Sequence, residues 1–161
     1  PGEAIELEES QIIAAGQFEN GDHARLVDFG QTIRARYVCI ESLSSHSQDN
    51  NAAIAEIHIL DTDGKSLDRN DWQVIYADSE EIAAEPAGAA NIMDEQPVTF
   101  WHSQYQDGNP PHPHQVVIDL GDVKAFRRLR YLPRNGANPG KIKDYKIYAA
   151  TTLFNGLKES E

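Results

Sequence analysis

Short apolar segments, each closed by turn-forming residues, recur along the whole chain and constrain its fold more than any other feature. In one of them, Val116, Ile118 and Leu120 occupy every second position, which is the period of a strand that buries one face. Strands separated by Gly, Asp, Asn and Pro indicate an all-β sandwich or barrel. The segments are HARLVDF before Gly30, ARYVCIESL, AAIAEIHIL before the turn DTDG, WQVIYA, HQVVIDL before Gly121, FRRLRYL and IKDYKIYA.

Helical signals are weak by comparison. Pro86 and Gly88 limit the segment AEPAGAANIMD to about one helical turn, near Ala89 to Met93. Because no long amphipathic helices alternate with the strands, a parallel α/β fold is disfavoured. A chain of 161 residues, 40 % of them hydrophobic, is long enough for one ordinary core. We therefore expect a single domain spanning residues 1–161.

The charge balance excludes several classes of partner. The chain has 26 acidic and 14 basic residues, which gives a formal net charge of −12. Such an acidic surface repels nucleic acid and anionic membranes. It also disfavours a strongly anionic polysaccharide unless basic residues cluster, as Arg127, Arg128, Arg130 and Arg134 do in the sequence. No apolar run approaches the roughly 20 residues of a membrane-spanning helix, so we expect no membrane insertion.

The sequence carries no recognisable catalytic motif. Cys39 is the only cysteine, which excludes an internal disulfide, and its apolar surroundings predict a buried core residue. His112 and His114 alternate on an extended segment, but no further His or Cys stands at a spacing typical of zinc sites. Nucleophile-elbow and phosphate-loop motifs are absent, and no pair of carboxylates stands out for glycoside hydrolysis. We expect no enzymatic activity.

The most informative stretch is NIMDEQPVTFWHS, residues 91–103. It is a turn-rich loop that offers the Asp94 carboxylate, the Thr99 hydroxyl and several backbone carbonyls. Hard cations such as Ca²⁺ take roughly six to eight oxygen ligands, mixing carboxylates with carbonyls. A loop of this kind could supply part of such a shell, although most loops that contain an aspartate bind no ion.

This stretch resembles the signature of the discoidin, or coagulation-factor type C, superfamily, and the chain is most similar to its carbohydrate-binding module family 32. The galactose-binding domain of galactose oxidase belongs to the same superfamily. Three further matches follow in order, PHPHQVVIDLG, RRLRYLPRNG and GKIKDYKIYAA. The resemblance covers most of the second half of the chain and implies a jelly-roll β-sandwich.

The first half also resembles this superfamily, but out of the usual order. The stretches GQFENGDHARLVDFGQTIRARYVCIESLSS and NNAAIAEIHILD look like the C-terminal part of such a domain, yet they precede WQVIYADSEE. Either the chain is a circular permutant of one jelly roll, or it is cut from a tandem array. Permutation is tolerated where the original termini lie close together, and we expect one closed sandwich with permuted strand order.

The resemblance implies one structural calcium ion, which ties the signature loop to the last strand of the family. Asp94, Thr99 and Glu56 would offer side-chain oxygens, and the remaining ligands would be backbone carbonyls. Where the family usually has Gly and then Asn or Asp after the aspartate, this chain has Glu95 and Gln96. The implied ligands are Asn91, Asp94, Gln96, Thr99, Ala55 and Glu56.

The resemblance also implies that loops at one end of the sandwich bind a sugar. Such sites pair an aromatic face with planar polar groups that make bidentate hydrogen bonds to neighbouring hydroxyls. Trp101 most often packs in the core of this family and is not assigned to stacking. The implied ligand-binding residues are Arg134, His102, Asn135, Tyr105, Asn138 and His46, the last in the loop SSHSQDNN.

Related sugar binders often carry an aromatic residue just before the segment IAEI, where this chain has HSQDNNAA. Tyr105 is the candidate to replace it; otherwise we expect weak binding or a ligand unlike galactose. The leading hypothesis is a non-catalytic module that recognises a galactose-like sugar of a polysaccharide or glycan, in a larger extracellular or periplasmic protein. The alternatives are a discoidin-type adhesion module that binds a protein or cell-surface partner, and a small lyase or hydrolase on the same sandwich.

Overall fold

A computed structural model describes residues 3–136 and 139–158 of the chain. The one helical turn expected near Ala89 to Met93 is confirmed as a 3-10 helix at Ala89–Met93; a second 3-10 helix spans Glu9–Gln11, and the short helix α1 spans Asn155–Lys158. In this part of the chain no helix has the length and apolar character needed to cross a bilayer. The strands are β1 (Ile12–Gln17), β2 (Arg25–Ser42), β3 (Ala53–Ile54), β4 (Glu56–Leu60), β5 (Gln73–Ala77), β6 (Trp101–His102), β7 (His114–Leu132) and β8 (Asp144–Ala150).

The strands form antiparallel sheets, as the sequence pattern predicts. The main sheet has the order β1-β8-β2-β7-β4, with β5 also pairing to β7, and β3 pairs with β6 in a small second sheet. The main sheet bends over on itself because its two central strands are long enough to serve both layers. The result is the all-β sandwich expected from the sequence.

The long strands β2 and β7 differ from the sequence prediction in one respect. We expected strands to end at Gly30 and at Gly121, but both strands run on through these glycines. Residues 37–42 of β2 pair with residues 114–119 of β7, and residues 25–28 pair with residues 128–131. The first of these regions also pairs with β8 and β5, and the second with β4. The glycines mark bends between the two layers.

Each bend has the same local construction. The Gly30 N–H donates to Asp28 Oδ1 at 2.8 Å, and the Gly121 N–H donates to Asp119 Oδ1 at 2.8 Å. Both glycines have positive φ, +74° and +90°, which side-chain-bearing residues rarely adopt. The register shifts here, so extra residues leave the ladder and the strand turns. Arg36 holds Asp119 from the other strand with two hydrogen bonds of 2.9 and 3.1 Å.

The main core fills the space between the layers. Phe29 and Phe126, one from each long strand, meet edge to face with ring centroids 5.9 Å apart. Trp101 is 1 % exposed and packs in this core, as expected, and its Nε1 donates to Ser79 O at 2.8 Å. Aromatic pairs of this kind add stability beyond the area they bury.

A second, smaller cluster covers the outer face of the main sheet. Cys39, buried as predicted, packs there with Val117 and Phe154, and Ile5 packs against the cluster. The alternation in the sequence predicts that Val117 faces away from the core, and it does, but the terminal segments cover that face. Gln115 fixes the first of these segments, since it accepts from Ile5 N at 2.7 Å and donates to Ile5 O at 2.9 Å.

Replacing Gly121 tests the bend in β7. A Cβ at Gly121 would lie 2.9 Å from Asp71 Cβ and 3.0 Å from Asp71 O, whereas a Cβ at Gly30 would meet nothing within 4 Å. We expect Gly30→Ala to cost about 1–2 kcal/mol of unfolding free energy from its backbone conformation alone, and Gly121→Ala to cost more. Urea denaturation of both variants measures the difference, and equal losses would contradict the role given to the Asp71 contact.

Candidate functional site

Three residues predicted to bind ligand, Arg134, His102 and Tyr105, meet at one end of the sandwich. The Arg134 guanidinium lies over the Phe100 ring, 4.1 Å from its centroid, and Arg134 Nη2 is 4.0 Å from Glu85 Oε1. The Tyr105 hydroxyl donates to the other oxygen of Glu85 at 2.5 Å. The rings of Tyr105 and His102 meet edge to face at 4.9 Å. We call these five residues the Arg134 cluster.

Two members of the cluster, Phe100 and Glu85, were missed by the sequence analysis. Phe100 precedes the signature tryptophan and was assigned no role, and Glu85 is one of several acidic residues in a loop. Glu85 stands seventeen positions before His102 in the chain, so no local spacing relates them. Phe100 and Glu85 lie beside Arg134 only because the loops that carry them meet in the folded chain.

His102 forms the floor of the cluster. Its side chain is buried, and its Nδ1 lies 2.6 Å from Ser103 O, so Nδ1 carries the proton of that hydrogen bond. Burial lowers the pKa of His102, and the nearby charge of Arg134 lowers it further. The ring is therefore neutral at pH 7, and its Nε2 is a hydrogen-bond acceptor.

The cluster combines donors, acceptors and aromatic faces in a small space. Arg134 supplies a planar fork of N–H groups, and its buried Nε has no hydrogen-bond partner in the described structure. The hydrogen bond to Glu85 raises the pKa of Tyr105 to about 12, so its hydroxyl keeps its proton. Tyr105 is 39 % exposed and offers part of its ring to solvent. This arrangement suits a ligand with both hydroxyl groups and an apolar face.

The other predicted ligand residues lie differently. Asn135 is exposed and follows Arg134 in the same loop, and Asn138 lies outside the described residues. His46 is not a member of the Arg134 cluster. Its Nε2 is 2.8 Å from Phe18 O, and its ring lines a separate cavity with Lys141. Nothing in the sequence indicated that His46 would lie apart from Arg134, His102 and Tyr105.

A buried carboxylate positions the loops that carry the cluster. The two oxygens of Glu81 accept backbone N–H groups of Ala83, Ala84, Tyr105 and Gln106 at 2.7 to 2.9 Å. These hydrogen bonds, the one from Ala84 above all, lower the pKa of Glu81 to about 2. Glu81 thus joins the loop that bears Glu85 to the loop that bears Tyr105.

The predicted metal-ligating loop is compact. Thr99 Oγ1 donates to Asp94 Oδ2 and lies 2.9 Å from Gln96 O, while the Gln96 N–H donates to Asp94 Oδ1 at 2.9 Å. The Asn91 carbonyl accepts from Asp94 N at 3.5 Å. Glu95, which replaces the family's usual glycine, adopts a positive φ of 62°. The loop therefore gathers oxygen atoms although its sequence departs from the family pattern.

The structure brings Glu56 to this loop although 38 positions separate it from Asp94. Ala55 and Glu56 are both buried at the start of β4. Arg69 Nη1 donates to Glu56 Oε1 at 2.7 Å, but the buried Glu56 Oε2 has no hydrogen-bond partner in the described residues. Burial, with Asp94 nearby, raises the pKa of Glu56, while hydrogen bonds from Thr99 and Gln96 outweigh burial and lower that of Asp94.

The orphaned oxygen and the adjacent carboxylate fit a hard cation. Across residues 3–136 and 139–158, no three His, Cys, Asp or Glu side chains converge on one point. A cation at this place would therefore take most of its ligands from carbonyls and the Thr99 hydroxyl, as the sequence analysis expects.

Comparison with known proteins places the chain in a family. The F5/8 type C domain family matches residues 66–154, more than half of the chain. The chain belongs to the F5/8 type C domain family. It is also 35 % identical over 91 residues to a sialidase of Micromonospora viridifaciens. The matched stretch is 56 % of this chain and only 14 % of the sialidase. The predicted resemblance is confirmed.

The matched part of this F5/8 type C domain contains the whole Arg134 cluster and the loop around Asp94. The segment before residue 66, with β1 to β4, Glu56 and His46, lies outside the match. The permuted strand order and the single domain over residues 1–161 therefore stay predictions.

Glu81 gives a pH-dependent test of the loop geometry. Its pKa is about 2 in the folded protein and about 4.5 otherwise, so its stabilising effect is complete above pH 4.5 and is lost as pH falls towards 2. Glu81→Gln should therefore weaken the pH dependence of stability between pH 4.5 and 2. Urea midpoints at several pH values measure this, with Glu80→Gln as control, and identical pH profiles for wild type and Glu81→Gln would contradict it.

Proposed function

We propose that this F5/8 type C domain is a non-catalytic carbohydrate-binding module that recognises a galactose-like sugar. The observation that carries the proposal is the convergence of Arg134, His102, Tyr105 and Glu85 around one exposed aromatic edge. The sialidase relative, an enzyme by name that acts on glycans, supports the same class of ligand.

The groups of the cluster match the chemistry of a sugar ring. The Arg134 fork would donate to two neighbouring hydroxyls, and Glu85 and the neutral His102 would accept from others. The exposed ring of Tyr105 would pack on the apolar face of the sugar. Tyr105 thereby takes the part of the aromatic residue that the loop before Ile54 lacks.

We also propose a structural calcium ion between Glu56 and the loop of residues 91–99. The site would hold the ion through Asp94, Glu56 and Thr99 side chains and through carbonyls. The buried, unpartnered Glu56 Oε2 supports this, because a cation would satisfy it and offset the charge of Asp94. When bound, the ion would tie β4 to the loop that leads into Phe100. The carbonyl ligands would be those of Ala55, Asn91, Gln96 and Thr99.

The module would work as part of a larger protein. The chain spans a small part of the sialidase that it resembles, and a binding module of this kind holds its parent protein near a glycan. We propose an extracellular or periplasmic location, where such glycans occur. A discoidin-type adhesion module that binds a protein or cell-surface partner is the alternative, and the glycan experiment below separates the two.

The sugar site is tested on a glycan array that includes galactose-terminated and uronic-acid glycans, in buffer with calcium. Wild-type protein should bind a selective set, and Arg134→Ala should weaken binding at least tenfold, because it leaves the sugar hydroxyls without their donor and Glu85 without its ion pair. Arg34→Ala, which removes the same charge from an exposed strand position, is the matched control. A blank array with well-folded protein would contradict the proposal and favour a protein partner.

Calcium binding is tested by thermal and urea unfolding. At free Ca²⁺ one hundred times its dissociation constant, the free energy of unfolding should rise by about 2.7 kcal/mol, and a chelator should reverse this. Asp94→Asn should abolish the gain, whereas Asp63→Asn, in an exposed turn, should keep it. If Ca²⁺ left wild-type unfolding unchanged, the calcium proposal would be wrong.

A further inference from the structure

A cavity with a volume of about 450 Å³ lies beside the loop that carries Arg134. We call it the Lys141 cavity. It opens among three loops, namely the β1–β2 loop, the loop after β2 and the β7–β8 loop. Its lining residues are Asn20, Gly21, Asp22, His46, Ser47, Gly136 and Lys141.

The β1–β2 wall of the cavity is fixed by an arginine. The Arg25 guanidinium donates to the backbone carbonyls of Glu19, Asn20 and His23 at 2.8 to 3.1 Å. All three nitrogens of the guanidinium donate, and their hydrogen bonds hold one short loop. The loop is therefore ordered before any ligand arrives, which reduces the entropic cost of binding.

The opposite walls are joined by backbone hydrogen bonds. The His46 N–H donates to Lys141 O at 2.9 Å, and the Gly140 N–H donates to the Ser47 hydroxyl at 3.2 Å. Ser47 also donates to Asp49 Oδ1 at 2.9 Å. Residues 46–47 of the loop after β2 and residues 140–141 of the β7–β8 loop are thus joined along one edge of the cavity.

Polar groups at the cavity keep hydrogen-bonding capacity. His46 Nε2 lies 2.8 Å from the Phe18 carbonyl and must donate to it, which leaves the second ring nitrogen, Nδ1, for a ligand. Lys141 Nζ contacts Asp22 Oδ1 at 3.2 Å and donates to Gly136 O, which leaves one N–H group. The charges of Asp22 and Lys141 offset each other across this ion pair.

The Lys141 cavity and the Arg134 cluster share the β7–β8 loop. Gly136 lines the cavity and stands two positions after Arg134 in one loop. Asp49, which holds Ser47 on the cavity side, is close enough to His102 to influence its charge. The β7–β8 loop therefore carries residues of both the cluster and the cavity.

We infer that the Lys141 cavity is a second subsite, which binds a neutral sugar unit adjacent to the one held by Arg134. The inference rests on the proposed function and makes the ligand an oligosaccharide rather than a single terminal sugar. Recognition here is by hydrogen bonds, which Lys141 would donate and His46 and Asp22 would accept, since no Phe, Tyr or Trp is among the described lining residues.

Isothermal titration calorimetry with four probes tests the subsite. They are methyl β-galactoside, lactose, lacto-N-tetraose and β-1,4-galactotetraose. Wild-type protein should bind at least one oligosaccharide about tenfold more tightly than methyl β-galactoside, as expected for two or three added hydrogen bonds. Lys141→Met and His46→Ala should remove this gain and leave methyl β-galactoside binding unchanged.

Further variants and controls distinguish failure of the subsite from failure of the proposed function. Asp22→Asn is a milder third variant, because the side chain is about half exposed, and His23→Ala changes a neighbouring histidine outside the cavity lining. Melting curves check that each variant folds. Equal affinity for all four probes in wild type, or a gain retained in all three cavity variants, would overturn the subsite alone. No binding of any probe by folded wild type would contradict the proposed function and the subsite with it.

Discussion

The antiparallel pairing of β2 with β7 is the interaction on which the rest of this domain depends. Each strand pairs in one layer with its first half and in the other with its second half, so this strand pair builds both layers of the main sheet. The bends require residues that tolerate positive φ, and Gly30 and Gly121 supply them. Asp28 and Asp119 stabilise the bends by accepting from those glycines. The two layers, the core and the ends where the loops emerge all follow from this strand pair.

The loops at the functional end have little regular structure, and charged side chains order them instead. Glu81 accepts four backbone N–H groups from two loops. His114 is fully buried between Asp78 Oδ2 at 2.9 Å and the Asn50 carbonyl at 2.6 Å, and so links the loop after β2 to β5 and β7. Irregular backbone buried in this way needs such partners, because unpaired N–H and C=O groups are costly. Apart from His102, which lies in β6, the Arg134 cluster is therefore held in place by polar contacts rather than by secondary structure.

Glu56 and Asp94, unlike Glu81 and His114, bring two acidic side chains together. Two carboxylates brought together in a buried place repel each other unless a proton or a cation lies between them. Arg69 satisfies one oxygen of Glu56 and leaves the other without a partner in the described structure. That remaining oxygen is the strongest physical argument for a cation there, and a cation would stabilise the loop that presents Phe100 to Arg134.

The sequence alone determined most of the strand segments, though not β1 or β6, and it determined the buried positions of Cys39 and Trp101, the helical turn at Ala89–Met93 and the family, because periodicity, turn residues and motifs are local. It also named Arg134, His102 and Tyr105, through the resemblance. Only the tertiary structure decided that Glu85 and Phe100 join them, that His46 lies in a separate cavity, and that strands expected to end at Gly30 and Gly121 continue across both layers. It also decided that Val117 is covered by the terminal segments. These facts depend on which loops and strands meet in space, and contacts between residues tens of positions apart leave no period or spacing in the chain.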